Sequence, residues 1–325
     1  MGWRPAIWCL VISIAASLCR AQENVDRDKV DLEGAGDRLA TAIDSGSVAA
    51  VRRVLDGGVS PDRLVYDTPS LTWAIWDDRY YVVKLLVERG ADVNLPDTDG
   101  YTPLMSAADQ GNKRIVLLLL DHGADINAVE LTYGMSALQS ACESGDEEVF
   151  DLFLERGADF NHVDKYGGNC LEEAALYGYE EIVKKLRAKG LTSRWPLHVA
   201  AGLGDVEEIK KQLAAGTNIE QPNGDWKNTP LMFAIGGGEL EVVKLLARRG
   251  ASLKIRNAIG GGPMHMAAGA DRVEIFRWLI GKGLDVNAKD TGGSTPLDWA
   301  TGDAMYELLV ENGGEHGEYE YDEQE

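Results

Sequence analysis

Residues 97–128 read DTDGYTPLMSAADQGNKRIVLLLLDHGADINA, and two helical patterns follow one another inside them. Thr102 can accept from an open amide at a helix start, and Pro103 fits the first turn, where its missing N–H costs nothing and its fixed φ is already helical. Leu104, Ala107 and Ala108 recur at helical spacing, and the small alanines let a second helix come close. Gly111 ends that helix. Ile115, Val116, Leu118, Leu119 and Leu120 make the inner side of the second helix almost wholly apolar. Gly123 stops it, and Ala124 and Asp125 lead into an extended segment that runs to the next turn. Each helix is about two to three turns, below the roughly 12 to 15 residues at which an isolated helix becomes marginal in water. Such a pair persists only against neighbours like itself.

Those neighbours are present. The Ala that closes the first helix is followed by a Gly nine times, at 42/58, 74/90, 107/123, 141/157, 174/190, 200/216, 234/250, 267/283 and 300/313. Eight intervals are sixteen residues and the last is thirteen, whereas the step from Gly to the next Ala runs 16, 17, 18, 17, 10, 18, 17 and 17. A unit of fixed length alternates with an adjustable connection, which is the mark of a solenoid rather than of a domain with one central core. TPLMSAADQG with LLLLDHGADINA resembles the ankyrin repeat, a β-turn finger followed by two antiparallel helices. The resemblance recurs in LTWAI to LLVERGADVN, ALQSACESG to FLERGADFN, PLHVAAGLG to QLAAGTNI, TPLMFAIGGG to LLARRGAS and PMHMAA to LIGKGLDVNA. It implies an all-α fold, an ankyrin-repeat α-solenoid of about nine helix-turn-helix units with β-turn fingers, over residues 37–314, about 85% of the chain. The first unit lacks TPL and carries Arg52 and Arg53; the last has lost three residues. Such departures suit end units that shield the stack from water. Between Gly190 and Pro196 the connection has lost about a whole finger, which leaves open a bend or notch beside Trp195, or a tolerated loop deletion.

The ends differ from the array. Arg4, the apolar run from Pro5 to Cys19 and the small residues around Ala21 read as a signal peptide, residues 1–21, cleaved near Ala21. The run of 15 residues is short of the roughly 20 needed for a spanning helix. The expectation is an exported chain, periplasmic or secreted, without membrane insertion after cleavage. Residues 22–36 read as a flexible segment, and 315–325 as an acidic disordered tail. The net charge of −21 becomes −23 once Arg4 and Arg20 leave with the signal, a sign that argues against nucleic acid. Cys142 and Cys170 remain, at non-equivalent positions in successive repeats, and read as buried thiols rather than a disulfide framework.

Signatures of catalysis are missing from the sequence: GxSxG, HExxH, CxxC and GxxxxGK[ST] do not occur. No catalytic residue, metal site or cofactor is expected. His198 and His265 take the fourth position of the TPLH pattern, where the resemblance implies hydrogen bonds between neighbouring turns. Asp97 to Gly100 lacks the later ligands of a calcium loop and reads as a finger turn.

What remains is a surface. The resemblance implies that finger tips and the exposed side of each first helix line a concave, partner-binding face. By position these are Asp99, Tyr101, Tyr133, Met135 and Tyr166 beside the finger glycines, Trp76, Asp77, Asp109, Glu143 and Tyr177 at the ends of the first helices, and Trp226 in a longer finger. Tyr and Trp bury much area at little entropic cost. With the interleaved acids they point to another protein with a basic surface, bound by a monomer as inhibitor or immunity protein of a secreted or periplasmic enzyme. An envelope scaffold and an enzyme hidden in the fingers are the alternatives.

Overall fold

A computed structural model describes residues 35–66 and 68–317. The expected signal segment, residues 22–34 and residues 318–325 of the expected tail lie outside the described residues. Among the described residues, eighteen α-helices of four to ten residues form nine consecutive pairs, one pair per repeat. The chain divides into two compact bodies: repeats one to four lie in residues 35–165, and repeats five to nine in 166–317.

Repeat three shows how the local chemistry works. Its helices span Pro103–Asp109 and Lys113–Asp121. The Thr102 hydroxyl accepts from the Met105 amide at 3.3 Å, and the Asn112 side chain accepts from Ile115 at 3.1 Å, so each helix start is capped by its own sequence. Leu104, Met105, Ala107 and Ala108 are buried on the first helix and Ile115, Val116 and Leu119 on the second, whereas Leu118 and Leu120 are half-exposed. Full burial of one such Leu or Ile stabilises by about 1.5–3 kcal/mol. Gly123 ends the second helix at φ 89°, in the left-handed region, and nothing lies within 4 Å of where a Cβ would sit. Glycine is therefore there for its backbone freedom and not for space.

Polar side chains then stitch repeat to repeat. Asn94 donates through Nδ2 to the Gly123 carbonyl at 3.1 Å, and its Oδ1 accepts from the Asp125 amide at 2.7 Å. Asn127 accepts from Asp159 in the same way, and Asn287 bridges Gly313 and Glu315. Fingers pair edge to edge: Leu131 donates to Asp99 and Lys165 to Tyr133 in the first body, Ala258 to Trp226 and Thr291 to Ile259 in the second. In repeat two, Leu64–Val65 and Thr68–Pro69 form a short antiparallel pair, Leu64 opposite Pro69.

Where the sixth finger is missing, the first helices of repeats five to seven pack closely. Helices Cys170–Leu176, Pro196–Gly202 and Pro230–Gly237 approach until a Cβ on Gly202 would fall on the Ala175 carbonyl oxygen, one on Gly236 on that of Leu176, and one on Gly237 on that of Gly202. Repeat seven thus touches repeat five directly. Arg272, at the start of helix Val273–Gly281 in repeat eight, donates to the Gly236 carbonyl at 2.8 and 2.6 Å and to the Tyr177 carbonyl at 3.1 Å. Trp195 is buried, and the Tyr166 ring meets Trp226 edge-on at 5.0 Å.

The final repeat absorbs its three missing residues by shortening its first helix to Pro296–Trp299. Glu315 to Gly317 close over that helix: Thr295 donates to the Glu315 carbonyl at 2.6 Å, and the Asp298 carboxylate receives the Gly317 amide at 2.8 Å.

Candidate protein-binding surface

In residues 35–165 the finger turns are organised by acids that accept from their own backbone. Asp97 Oδ1 accepts from the amides of Asp99 and Tyr101 at 3.0 and 2.8 Å, and burial pushes its carboxyl above the ordinary value. Glu130, itself buried, accepts from Tyr133 at 2.6 Å and Met135 at 3.0 Å. The Asp97 to Gly100 segment is a finger turn in which one carboxylate oxygen accepts from its own backbone. Among the described residues no group of three or more His, Cys, Asp or Glu is placed to hold a metal ion.

These turns set the expected contact residues at different depths. Asp99 is exposed, and Trp76, Asp77, Tyr101 and Tyr133 are half-buried. The Tyr101 hydroxyl lies 3.0 Å from Ser140 Oγ, and the Trp76 ring packs edge-on against Trp73 at 6.1 Å. Three expectations of exposure are corrected. Met135 is 6% exposed, because the Glu130 turn folds it inward, and Asp109 and Glu143 are each 5% exposed, because both sit inside the closely spaced first helices Pro103–Asp109 and Ala137–Ser144. None has side-chain surface to offer a partner.

Sequence reading also missed exposed apolar groups on the fingers of this body. Leu131 is 68% exposed, and Leu64, Tyr66, Val129 and Val163 are each close to half exposed, all in finger segments. Tyr66 stands edge-on to Trp73 at 5.1 Å, and Trp73 donates to Asp44 at 2.8 Å. The available signal was isolated aliphatics, Val129 and Leu131 in VELTYG and Val163 in NHVDKYG, where a turn needs none.

In residues 166–317, Tyr166, Tyr177 and Trp226 are half-buried. Tyr166 and Trp226 face each other, and Tyr177 stacks on Tyr179 at 5.9 Å, so part of each ring already serves the fold. His198 Nε2 lies 3.2 Å from the Asn228 carbonyl and His265 Nε2 3.2 Å from that of Ser294, each tying one repeat to the finger of the next. Burial pushes His198 down to about 4 and lowers His265, so both are neutral donors at pH 7. Neither is placed to take protons from a substrate.

Paired short helices, left-handed glycines after each second helix and laddered fingers recur through both bodies. The family profile described as Ankyrin repeats (3 copies) matches residues 39–130, 127–194, 171–257 and 197–290. The chain belongs to the ankyrin-repeat family. Relatives of this ankyrin array include Ankyrin repeat and SOCS box protein 11 of Mus musculus, 32% identical over 29% of the chain and 31% of that protein. Palmitoyltransferase AKR1 of Lachancea kluyveri is 30% identical over 58% of the chain and 27% of that protein. Protein phosphatase 1 regulatory subunit 12A of Rattus norvegicus is 32% identical over 33% of the chain and 10% of that protein. The chain thus covers less than a third of the length of each. Ankyrin repeats are a protein-binding module. Among the described residues no helix of the ankyrin array is long and apolar enough to cross a membrane.

Proposed function

We propose that this ankyrin array is an exported, non-enzymatic monomer that captures a basic partner protein through its fingers and first-helix ends. We further propose that capture blocks the partner, as an inhibitor or immunity protein blocks a secreted or periplasmic enzyme. In the first body the contact residues are Asp99, Tyr101, Tyr133, Trp76 and Asp77, joined by the apolar tips Leu131 and Tyr66. In the second they are Tyr166, Tyr177 and Trp226.

One observation carries this reading: exposed apolar tips stand in a strongly acidic field. Residues 35–165 contain 23 acidic and 11 basic side chains, so Leu131 and Tyr66 supply anchors where the surrounding charge steers a cationic surface. Affinity capture with the cleaved chain tests it. The expected result is a basic protein whose enzymatic activity falls when bound and whose retention drops at least about ten-fold in Leu131→Ser/Tyr133→Ala, the loss of one to two anchors. A captured protein that stays fully active turns the reading to a scaffold. Unchanged capture by the double variant removes the proposed surface. Mass spectrometry of the mature N-terminus checks export, with cleavage near Ala21 expected.

A further inference from the structure

A second site lies at the opposite edge of the repeats, where the two helices of each pair turn into one another. A cavity of about 450 Å³ opens there across repeats one to three of the first body. Its lining includes Asp78, Arg79, Tyr80, Tyr81, Asn112 and Arg114.

The charge pattern of this cavity runs against the rest of the array. Two other arginines of this body bridge repeats through a carboxylate: Arg89 meets Asp56 at 2.7 Å and Arg156 meets Asp121 at 3.0 Å. Among the described residues neither Arg79 nor Arg114 has a carboxylate within ion-pair reach. Arg79 donates through Nη2 to the Asp44 backbone carbonyl at 3.2 Å, and its guanidinium lies against Gly46, where even a Cβ would stand 2.9 Å from Nη1. Arg114 lies over the Tyr80 ring, 4.0 Å from its centroid. The one carboxylate in the lining, Asp78, is engaged by Asn112 Nδ2 at 2.7 Å. Two exposed guanidinium groups, with donors left over, therefore face a shared space in a chain of net charge −21. A guanidinium's fork of donors matches phosphate and carboxylate oxygens.

The remaining wall is aromatic. Tyr81 stands edge-on to Tyr80 at 5.3 Å and is 66% exposed, more than Tyr66 or Tyr306 among the large exposed side chains. Tyr80 already carries Arg114 over its ring, whereas Tyr81 offers an open ring beside the two cations. The volume suits a small ligand.

We propose that this cavity is a binding site for a small aromatic anion, a phosphate monoester or carboxylate on a planar ring, with the anion between Arg79 and Arg114 and the ring against Tyr81. The ligand is free or displayed on a peptide; the chemistry recognised is the same. The cavity adjoins the Trp76–Asp77 helix end but lies away from the finger tips, and its test uses small ligands only, so its failure is distinguishable from failure of the partner proposed above.

Ligand-observed NMR titration of the full chain with phenyl phosphate, benzoate, inorganic phosphate and benzylamine tests it. Phenyl phosphate should bind saturably and benzoate more weakly, inorganic phosphate at least ten-fold more weakly than phenyl phosphate, and benzylamine not at all. Arg114→Gln touches only the Tyr80 contact, so it should leave the melting transition in place and weaken phenyl phosphate at least ten-fold; Tyr81→Ala should weaken it several-fold without changing inorganic phosphate. An O-phosphotyrosine peptide, compared with free phenyl phosphate, separates a displayed ligand from a free one. Absence of saturation at millimolar phenyl phosphate, equal binding of benzylamine, or unchanged binding by a folded Arg114→Gln protein overturns the site.

Discussion

A methyl group cannot occupy the space of a carbonyl oxygen, and three glycines of the second body are fixed by that alone. Gly237→Ala forces the helices of repeats six and seven apart, and overpacking of this kind costs about 1–3 kcal/mol. Gly281 is the control: it ends helix Val273–Gly281 with open space around its missing Cβ, and Gly281→Ala should be neutral or stabilise by up to about 1 kcal/mol. Urea midpoints of the two variants separate close approach from mere helix propensity. The buried histidines make a second residue-scale prediction. His198 is held down to about 4 against an ordinary 6.5, so the unfolded chain binds the proton more readily between those values. Its stabilisation is complete above pH 6.5, falls as pH drops towards 4, and amounts to at most about 3 kcal/mol. Glu172, raised by burial, acts in the opposite sense, since its contribution is present at low pH and is lost as pH rises through its raised folded value. His198→Gln/His265→Gln should therefore flatten the melting temperature between pH 6.5 and 4, and an unchanged slope would assign that acid sensitivity to other groups.

At the scale of elements, a deletion in one finger is answered by the next finger, which reaches across to repeat five. The sixth connection is short, but the seventh carries a 3₁₀ turn, Gly224–Trp226, that brings Trp226 onto Tyr166. Arg272 then ties the first-helix ends of repeats five and seven together. Arg272→Met keeps most of the packing and removes these charged hydrogen bonds, each worth about 1.5–3 kcal/mol. The expected loss is about 2–4 kcal/mol in urea unfolding, with faster amide exchange in residues 175–178 and 235–238; Arg272→Lys should recover part of it. This is also where sequence reading reached its limit. The sixteen-residue spacing was legible because Gly123 and its equivalents need a left-handed backbone, and the helix starts because Thr102 and Pro103 announce themselves locally. That repeat seven reaches repeat five depends on contacts between residues 60 positions apart, which no local pattern encodes. Met135 was misplaced for a related reason: its neighbour Glu130 turns the backbone, and the direction of a turn decides which side chain enters the core. Leu131 was overlooked because apolar residues were assigned to packing, although the same turn points it outward.

For the whole molecule the informative quantity is where the negative charge resides. Residues 35–165 hold 23 acidic and 11 basic side chains, whereas residues 166–317 hold 20 and 17, so the surplus belongs to the first body. A field of that sign speeds the approach of a cationic surface and is screened over about 8–10 Å at ordinary salt. Charge and structure can be separated here because several exposed acids also organise turns. Asp92, Asp125 and Asp159 each accept, through Oδ1, from the amide of the Asn two residues on, at 2.9, 3.0 and 2.9 Å. Asparagine keeps that acceptor and discards the charge. The triple variant Asp92→Asn/Asp125→Asn/Asp159→Asn should therefore retain the parent stability within about 0.5 kcal/mol, as surface changes away from packing usually do. Its association rate with the captured basic partner should nevertheless fall several-fold at 50 mM salt and converge on the parent at about 0.5 M, where the Debye length is a few ångströms. Stopped-flow measurement at both salts checks this. A dissociation rate that changes while the association rate stays constant would mean that the acids act as contacts in the complex rather than as the field that assembles it.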